Sequence, residues 1–409
     1  MNSQPYSQKS IKPKSSLRML SKWVLSFLCS LLFIWGISLV FHNSLALYQF
    51  SQILGKHIRM PGSVFTQRFE GWATSSFGDF GMPGGLQLSS LPAPHVAIWG
   101  DSHIEGLQIN DKKKVANRVT QLSLKQTSHR VSGLNLASSG LSMADFCLDI
   151  PVVEQAIPGI TAHYIVLTDI RDTLPDQPTA RHAKFLSKPY LHIDASQDPN
   201  RDPNSPFGLR KQLKRFIANY RLEFLWKTIK KAYYAVSTIK TSSLRYTDKF
   251  KQLLAVQDQP PKQPESPSST RIFGFGEPLP SVGLPSIEEA LEPWAFILSK
   301  LKATSNRPIT IIYCPKVPRI RCGLVTMQDD DDTLATAFLN LATNCGFSTI
   351  TMNNLFISGY QSGKGFPRGF ANSRPDSGHL NALGHLLIAQ AITKNIHLNQ
   401  SIHHAVHTD

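Results

Sequence analysis

Nineteen consecutive residues near the N-terminus, Trp23 to Phe41, carry no charge, and this stretch constrains the fold more than any other feature of the chain. The next charged residue after Lys22 is Lys56. At 1.5 Å per residue, a helix of this length spans about 28 Å, close to the ~30 Å of a bilayer's hydrocarbon core. Because backbone polar groups in lipid must be satisfied within the segment, residues 23–41 are predicted to form one transmembrane helix.

Five basic residues and no acidic residue occupy residues 1–22, a bias that holds an N-terminus in the cytoplasm. We therefore expect a cytoplasmic tail at 1–22, a stalk or lead-in at 42–92, and the remainder in the periplasm or outside the cell. The alternative is a cleavable signal peptide, since Ser44-Leu45-Ala46 offers small residues for cleavage after Ala46. The apolar stretch exceeds the about 7–15 residues of a signal core, which favours an uncleaved anchor.

From Pro94 onward, short apolar runs alternate with helical patterns. Strands are predicted at 95–99, 131–136, 164–167, 309–313 and 347–352, and helices at 112–128, 143–156, 286–303, 333–344 and 381–394. This alternation is typical of βαβ units and predicts an α/β domain with a parallel sheet. The domain comprises residues 93–175 and 286–396, and residues 397–409 are a C-terminal tail.

The positive charge is concentrated in two segments. The formal net charge is +15, of which residues 1–22 contribute +5 and residues 181–254 contribute +11. Since no nucleic-acid-binding motif accompanies it, we expect no nucleic-acid partner. We interpret residues 176–285 as an insertion, with a basic helical part and a Pro-rich linker. Its apolar positions fit a helix on an anionic membrane surface or an acidic glycan, or a helical hairpin packed on the domain.

Polar motifs occur where an open α/β sheet places its active site, at the carboxyl ends of strands. Gly100-Asp101-Ser102-His103 follows the first predicted strand, Gly140 follows the second, and Asp376-Ser-Gly-His379 precedes the last helix. A serine becomes a nucleophile when a histidine takes its proton and a carboxylate orients that histidine. Ser102, His379 and Asp376 are the candidates for these three roles.

The negative charge that develops on an attacked carbonyl oxygen requires hydrogen-bond donors. The backbone N–H groups of Ser102 and Gly140 are the candidates. Neither a metal-binding motif nor a nucleotide-binding motif occurs, so we expect no cofactor and no metal. The five cysteines are too few for a disulfide scaffold, although Cys314 and Cys322 are close enough in sequence to pair.

These motifs, in this order, resemble those of the SGNH (GDSL-type) hydrolase superfamily. Gly100-Asp101-Ser102 is similar to its first block, Gly140 to its second, and Asp376-x-x-His379 to its last. The resemblance covers about 190 of the 409 residues. It implies a flavodoxin-like three-layer α/β/α sandwich that acts on esters. His103 replaces the usual Leu, as in variants found in modules for O-acylation or deacylation of envelope glycans.

One position departs from the family pattern. The third block usually ends in Gly-x-Asn-Asp, whose Asn donates a hydrogen bond to the oxyanion. Here the corresponding stretch is Leu167-Thr-Asp169-Ile-Arg171-Asp172, with Arg171 at the position of the Asn. A guanidinium at this position is able to donate to an oxyanion or bind an acidic substrate group. The alternative is that Arg171 pairs with Asp169 or Asp172 and has no catalytic role.

Together, the anchor and the motifs predict a membrane-bound serine esterase with its catalytic domain outside the cytoplasm. Its expected substrate is an O-acylated envelope or extracellular polysaccharide, and the reaction passes through an acyl-serine. One alternative is an O-acyltransferase with the same triad, and another is a catalytically inactive polysaccharide-binding or assembly protein. A lipid esterase is favoured only if the insertion contacts the membrane, and the oligomeric state is left open.

Overall fold

The computed structural model describes residues 14–126, 130–173, 182, 217, 222 and 287–406. The insertion predicted at 176–285 therefore lies almost wholly outside the described residues. The described chain divides into two units, one of which contains residues 14–45 and the other residues 46–173 and 287–406.

The first unit begins with helix α1, Lys14–Phe41. Within it, residues Arg18–Ile37 form a 20-residue stretch with a mean hydropathy of 1.8, none of which is buried. Helix α1 is thus long enough and apolar enough to cross a membrane, as expected for residues 23–41. It begins nine residues earlier than the apolar stretch because the basic residues before Trp23 continue the helix.

Two antiparallel hairpins open the second unit, in the segment expected to be a stalk or lead-in. Strand β1 (Tyr48–Ser51) pairs with β2 (Lys56–Arg59), and β3 (Val64–Gln67) pairs with β4 (Ala73–Ser76). The expectation of a stalk is wrong for this stretch, since the hairpins carry buried residues that contact the domain. The sequence does not predict these four strands, because each is only four residues long and its few apolar residues show no clear alternation.

Buried polar side chains attach the hairpins to the rest of the unit. Arg59 Nε donates to Glu105 Oε1 over 2.9 Å. Lys114, which is fully buried, donates from Nζ to Ser75 Oγ over 2.9 Å. Buried charged groups are stable only when they are hydrogen-bonded. These contacts therefore fix both hairpins against the segment that follows the first strand of the central sheet.

The central sheet has five parallel strands. They are β5 (His95–Trp99), β6 (Ser132–Asn135), β7 (Ile160–Leu167), β8 (Ile309–Tyr313) and β11 (Ser348–Thr351), arranged in the order β6-β5-β7-β8-β11. Strands β9 (Arg319–Arg321) and β10 (Leu324–Thr326) form a separate hairpin. Because the chain passes from β6 across β5 to β7, the carboxyl ends of β5 and β7 border a crevice.

Helices cover both faces of this sheet. In chain order they are α2 (Ser102–Glu105), α3 (Val115–Gln126), α4 (Met143–Ala156), α5 (Ile287–Lys302), α6 (Asp332–Asn344), α7 (Asn353–Gln361) and α8 (Ala382–Val406). Helices α4, α5 and α6 share one hydrophobic core, whereas α3, α7 and α8 share the other. Alternate residues of β5 enter the two cores, Ala97 and Trp99 the first, Val96 and Ile98 the second. The predicted α/β class with a parallel sheet is confirmed.

Candidate active site

Ser102 lies at the start of the short helix α2, directly after strand β5. Asp101 precedes it as the N-cap and accepts a hydrogen bond from the His103 N–H over 2.9 Å. The other Asp101 oxygen accepts from Thr168 Oγ1, after β7, over 3.2 Å. Burial raises the pKa of Asp101. The Asp101 side chain therefore holds the turn that carries Ser102 against the end of the neighbouring strand β7.

His379 faces Ser102 from the loop before helix α8. Its Nε2 lies 3.1 Å from Ser102 Oγ, within hydrogen-bond distance. Asn381 caps α8, since its Oδ1 accepts from Leu383 N–H over 2.9 Å, and its Nδ2 donates to Phe366 O over 2.7 Å. These bonds hold the loop that carries His379 in place. Ser102 and His379, which the sequence predicts as nucleophile and base, meet in the structure.

Glu70, and not Asp376, contacts the far side of the His379 ring. Glu70 Oε2 lies 2.5 Å from His379 Nδ1, and Oε1 accepts from the His379 backbone N–H over 2.8 Å. Asp376 Oδ2 instead accepts from the Ile320 N–H over 2.7 Å. The prediction of Asp376 as the orienting carboxylate is therefore wrong, because its carboxylate is directed to the β9 backbone.

The contact with His379 keeps Glu70 ionised. Burial by itself would raise the pKa of Glu70, but hydrogen bonds from His379 outweigh burial and lower it. A carboxylate on Nδ1 fixes the imidazole as the tautomer that carries hydrogen on Nδ1 and leaves Nε2 free to accept a proton. Glu70 thus occupies the position that an orienting carboxylate needs.

Asn372 holds the Glu70 loop against the His379 loop. Its Nδ2 donates to Arg68 O and to Gly71 O, and its Oδ1 accepts from Gly71 N–H, each over 2.9 Å. Gly71 has a φ of +71°, and a Cβ there would meet the backbone of Gln108 within 3.0 Å. Only glycine fits this turn without strain. One asparagine side chain and one glycine therefore help to hold the Glu70 loop in place.

His103 packs against the ring of His379. Its ring centroid lies 4.7 Å from that of His379. His103 Nδ1 accepts from Leu380 N–H and from Arg368 Nη1, each over 3.2 Å. Both partners can only donate, so His103 Nδ1 carries no proton. Burial, together with the charge of Arg368, lowers the pKa of His103 well below its usual value, so the ring is neutral.

Arg368 joins the loop of His379 to the ends of strands β7 and β8 and is 3% exposed. Besides His103 it donates to Cys314 O over 2.7 Å, to Pro315 O over 3.4 Å and to Thr168 O over 3.5 Å. The guanidinium of Arg368 thus bonds to carbonyl oxygens of residues that follow the ends of β7 and β8. Arg368 therefore holds the loop that carries His379 close to the carboxyl ends of these two strands.

The two predicted oxyanion donors are the backbone N–H groups of Ser102 and Gly140. In the described part of the chain, neither the Ser102 N–H nor the Gly140 N–H donates to a protein acceptor. Gly140 has a φ of +78° and open space where a Cβ would lie. The loop before it is fixed to the serine turn, since Ser138 N–H donates to Gly100 O over 3.2 Å and Ser139 N–H to Glu105 Oε2 over 3.1 Å.

Arg171 pairs with Asp169, which was the alternative left open by the sequence. Its Nε donates to Asp169 Oδ1 over 2.8 Å, Nη2 contacts the other oxygen, and the side chain is 49% exposed. Lys316 also contacts Asp169, over 2.8 Å. Burial opposes it, but these two cations lower the pKa of Asp169. The structure does not bring Arg171 to Ser102 or His379, so its substrate role stays a prediction.

Three residues of the site, Glu70, Asn372 and Arg368, were not predicted from the sequence. A weak signal for Glu70 exists, because residues 42–92 contain two carboxylates, Glu70 and Asp79. Asp79 accepts a hydrogen bond from Leu88 N–H over 2.8 Å, which leaves Glu70 as the carboxylate without a local role. This difference between Glu70 and Asp79 becomes visible only once the two hairpins are known, and the sequence does not predict the hairpins.

All five cysteines are free in the structure, so Cys314 and Cys322 do not pair. Among the described residues, no cluster of three or more His, Cys, Asp or Glu side chains is arranged to hold a metal ion. No protein-family model matches the chain, and no curated protein matches it.

Proposed function

We propose that this chain is a serine esterase in which Ser102, His379 and Glu70 form the catalytic triad. The observation that carries the proposal is the continuous chain of contacts from Ser102 Oγ to His379 Nε2, 3.1 Å, and from His379 Nδ1 to Glu70 Oε2, 2.5 Å. A nucleophile, its base and the group that orients the base are recognised by this geometry rather than by their order in the sequence.

The reaction follows from the positions of these atoms. Ser102 Oγ attacks the ester carbonyl carbon while its proton passes to His379 Nε2. Glu70 stabilises the imidazolium that results, and the N–H groups of Ser102 and Gly140 are the donors proposed for the oxyanion. The tetrahedral intermediate then breaks the ester C–O bond, and the proton on Nε2 goes to the leaving alcohol.

The acyl group is now bound to Ser102, and water completes the turnover. His379 Nε2 takes a proton from the water as its oxygen attacks the acyl carbon. Collapse of the second tetrahedral intermediate releases the carboxylic acid and returns the proton to Ser102 Oγ. An alcohol in place of water would give transfer of the acyl group, by the same steps.

The fold is consistent with a member of the SGNH hydrolase superfamily. Counted along the chain from β5, the strand order is 2-1-3-4-5, which is that of flavodoxin-like sheets. Ser102 follows the first of these strands, and His379 lies before the last helix, as the resemblance implies. The orienting carboxylate departs from the D-x-x-H block, because Glu70 takes the place expected for Asp376.

For the substrate class, we propose an O-acyl group on an envelope or extracellular polysaccharide. An apolar helix that begins close after basic residues supports a single anchor with the catalytic unit outside the cytoplasm. His103, which packs on His379, matches the variant of the first block that the resemblance associates with glycan O-acyl chemistry. These two features favour an ester on a glycan over an ester on a soluble metabolite.

Covalent labelling of the full-length protein in detergent with a fluorophosphonate probe tests the triad. We expect labelling of wild type at Ser102 and none in Ser102→Ala or His379→Ala. Ser377→Ala is the matched control, because Ser377 is the serine nearest to His379 in sequence and is expected to leave labelling unchanged. A folded wild-type protein that does not react, or a probe attached to another serine, would overturn the proposal.

A further inference from the structure

Glu105 is a fully buried carboxylate beside the candidate active site, and no step of the proposed reaction uses it. It is the last residue of helix α2, whose first residue is the proposed nucleophile Ser102. Glu105 Oε1 accepts from Arg59 Nε over 2.9 Å. Glu105 Oε2 accepts from the Ser139 N–H over 3.1 Å and also from the Ser139 hydroxyl. Both oxygens are therefore engaged, as the stability of a buried carboxylate requires.

The contact with Ser139 belongs to the loop that carries the proposed oxyanion donor Gly140. Among the described residues, every backbone N–H from Ala137 to Leu141 donates to a protein acceptor, with the exception of the Gly140 N–H. Glu105 supplies the acceptor for the neighbouring Ser139 N–H. The loop thus offers one N–H group to a substrate oxygen, and Glu105 takes up the one beside it.

The direction of the Gly140 N–H depends on its neighbours. Gly140 has a φ of +78°, open space at its Cβ position and an exposed location. Because glycine turns readily about φ, a loop that relied on glycine alone would present this N–H in several orientations. The Gly140 N–H lies in the peptide plane that it shares with the Ser139 carbonyl. The two bonds from Ser139 to the buried carboxylate hold one side of that plane and thereby restrict where the N–H points.

Arg59 compensates the charge of Glu105. A carboxylate close to a developing oxyanion opposes the reaction unless a cation offsets it, because like charges repel strongly where water is excluded. Arg59 is 7% exposed. Its guanidinium carbon lies 4.7, 5.5 and 5.4 Å from the ring centroids of Tyr48, Phe65 and Phe77, respectively. Cation–π attraction to these rings therefore helps to keep the guanidinium fixed on the carboxylate.

We propose that Glu105 is a positioning residue for the oxyanion donor. Its carboxylate fixes Ser139, so that the Gly140 N–H is the donor presented to the substrate oxygen, and Arg59 neutralises the charge of this carboxylate. Because Ser102 and Glu105 lie at the two ends of one helical turn, the nucleophile and the oxyanion loop are held by the same element. The inference rests on the proposed function, since it assigns Gly140 its role in the attack by Ser102.

The test measures the rate of fluorophosphonate labelling and the melting temperature of the full-length protein in detergent. Glu105→Gln is the first variant, because an amide accepts on one atom only, whereas donors face both oxygens of Glu105. One of the two contacts is then lost. We expect labelling to slow by about 10–100-fold, less than the about 10²–10³ that loss of an oxyanion donor costs. Labelling of Glu105→Gln at the wild-type rate would overturn the inference.

Arg59→Met leaves the buried carboxylate without its cation, and the same hairpin offers a matched substitution. Lys56 pairs with Asp149, a carboxylate that is 1% exposed, as Arg59 pairs with Glu105. We expect Arg59→Met and Lys56→Met to lower the melting temperature alike, but only Arg59→Met to slow labelling, by about tenfold or more. Equal slowing in both variants would mean that attachment of the hairpin, rather than the contact with Glu105, controls the rate, and the inference would be wrong.

The double variant Arg59→Met/Glu105→Gln separates positioning from a loss of stability. Its amide oxygen is free to accept from Ser139, because no guanidinium competes for that atom, and neither charge of the pair remains beside the oxyanion. We expect the double variant to label at least about threefold faster than either single variant. If Glu105 only stabilised the fold, the double variant would be the slowest of the three, because it carries both losses. That ranking would also overturn the inference.

A pair of substitutions at the exposed end of the contact decides the matter if the buried variants do not fold. Ser139→Ala removes the hydroxyl bond to Glu105, and we expect labelling to slow about fivefold. Ser138→Ala is its control and should label as wild type, because Ser138 is held to Gly100 by its backbone N–H. Equal rates in the two variants would overturn the inference and leave the proposed function intact. Absence of labelling in folded wild-type protein would overturn the proposed function and the inference with it.

Discussion

Two loops each bring a carboxylate to the neighbourhood of His379, and they differ in how the chain delivers it. The Asp376–His379 loop has its carboxylate three residues from the histidine, yet that carboxylate binds the Ile320 N–H. The Glu70 loop lies 309 residues away in sequence, yet it contacts both the ring and the backbone N–H of His379. Proximity in sequence therefore did not decide which acid orients the base.

The difference is explained by what each loop is attached to. Asp376 is 6% exposed and is directed to strand β9. Glu70 lies in the loop that joins β3 to β4, within a hairpin that is fixed to the rest of the unit, and Asn372 joins this loop to that of His379. A carboxylate held from outside the histidine's own loop is free to take the geometry that Nδ1 requires. The comparison predicts that removal of the two carboxylates will have very different effects.

The largest expected effect is that of Glu70→Gln. Without the carboxylate, Nδ1–H loses the charge that stabilises the imidazolium, and a triad acid exchanged for its amide typically costs about 10⁴ in rate. We expect the rate of fluorophosphonate labelling at Ser102 to fall by about 10³–10⁴. Asp376→Asn is the matched control, because Asn keeps an oxygen for the Ile320 N–H, and its rate should change less than about threefold. The opposite ranking would restore Asp376 as the orienting acid.

A smaller effect is expected from a methyl group placed against Glu70. Gly378 has a φ of +89°, and a Cβ there would lie within 3.0 Å of Glu70 Oε1. Gly378→Ala should displace the carboxylate by a fraction of an ångström or more and lower the labelling rate by about 10². Gly365→Ala shares the positive φ, +93°, but has open space around its Cβ.

Both glycine variants therefore carry a similar backbone strain of about 1–2 kcal/mol, which thermal unfolding should register in each. Only Gly378→Ala is expected to lose labelling as well. If Gly365→Ala slowed labelling equally, backbone strain in the loop rather than displacement of Glu70 would be the cause.

The connection between the two loops should have a more modest effect. Asn372→Ala removes three hydrogen bonds to the Arg68–Gly71 backbone but leaves both contacts of Glu70 with His379. We expect the labelling rate to fall about tenfold, because Glu70 is then less well positioned. Ser373→Ala, an exposed neighbour with one long hydrogen bond of 3.5 Å, is the control and should behave as wild type. Equal rates in both variants would show that the hairpins position Glu70 without Asn372.

The fold was largely predictable because its elements have strong local patterns. Helix 143–156 and strands 95–99 and 309–313 were predicted with the bounds that the structure has. Strand β7 begins at Ile160, four residues before the predicted start, because Thr161 and His163 break the apolar run. Helix α7 was missed, since Asn353–Gln361 is short and only two of its residues are buried.

The site was predictable only where motif and chemistry coincide in a few residues. Ser102 follows strand β5 and His379 lies in the loop before helix α8, and both polar motifs were expected at the edge of the sheet where the parallel strands end. Glu70 and Arg368 lie in loops whose positions depend on side-chain contacts between distant segments. Arg368 donates to three carbonyl oxygens and a histidine, and no pattern in the sequence specifies these partners. Tertiary contacts of this kind are not encoded by local periodicity.

The smallest expected effect concerns stability rather than rate, and it tests the charge of Glu70 directly. Hydrogen bonds from His379 lower the pKa of Glu70 below its usual 4.5 although burial opposes this. A carboxylate with a lowered pKa in the folded state stabilises the fold above the unfolded pKa, and this contribution is lost as the pH falls through the folded pKa. The melting temperature of Glu70→Gln should therefore lie below that of wild type at pH 7, on the order of 2 °C, and the gap should close toward pH 3. A gap that stays constant from pH 7 to pH 3 would mean that the ionised carboxylate adds nothing to the contact, and that Glu70 acts on His379 through its shape alone.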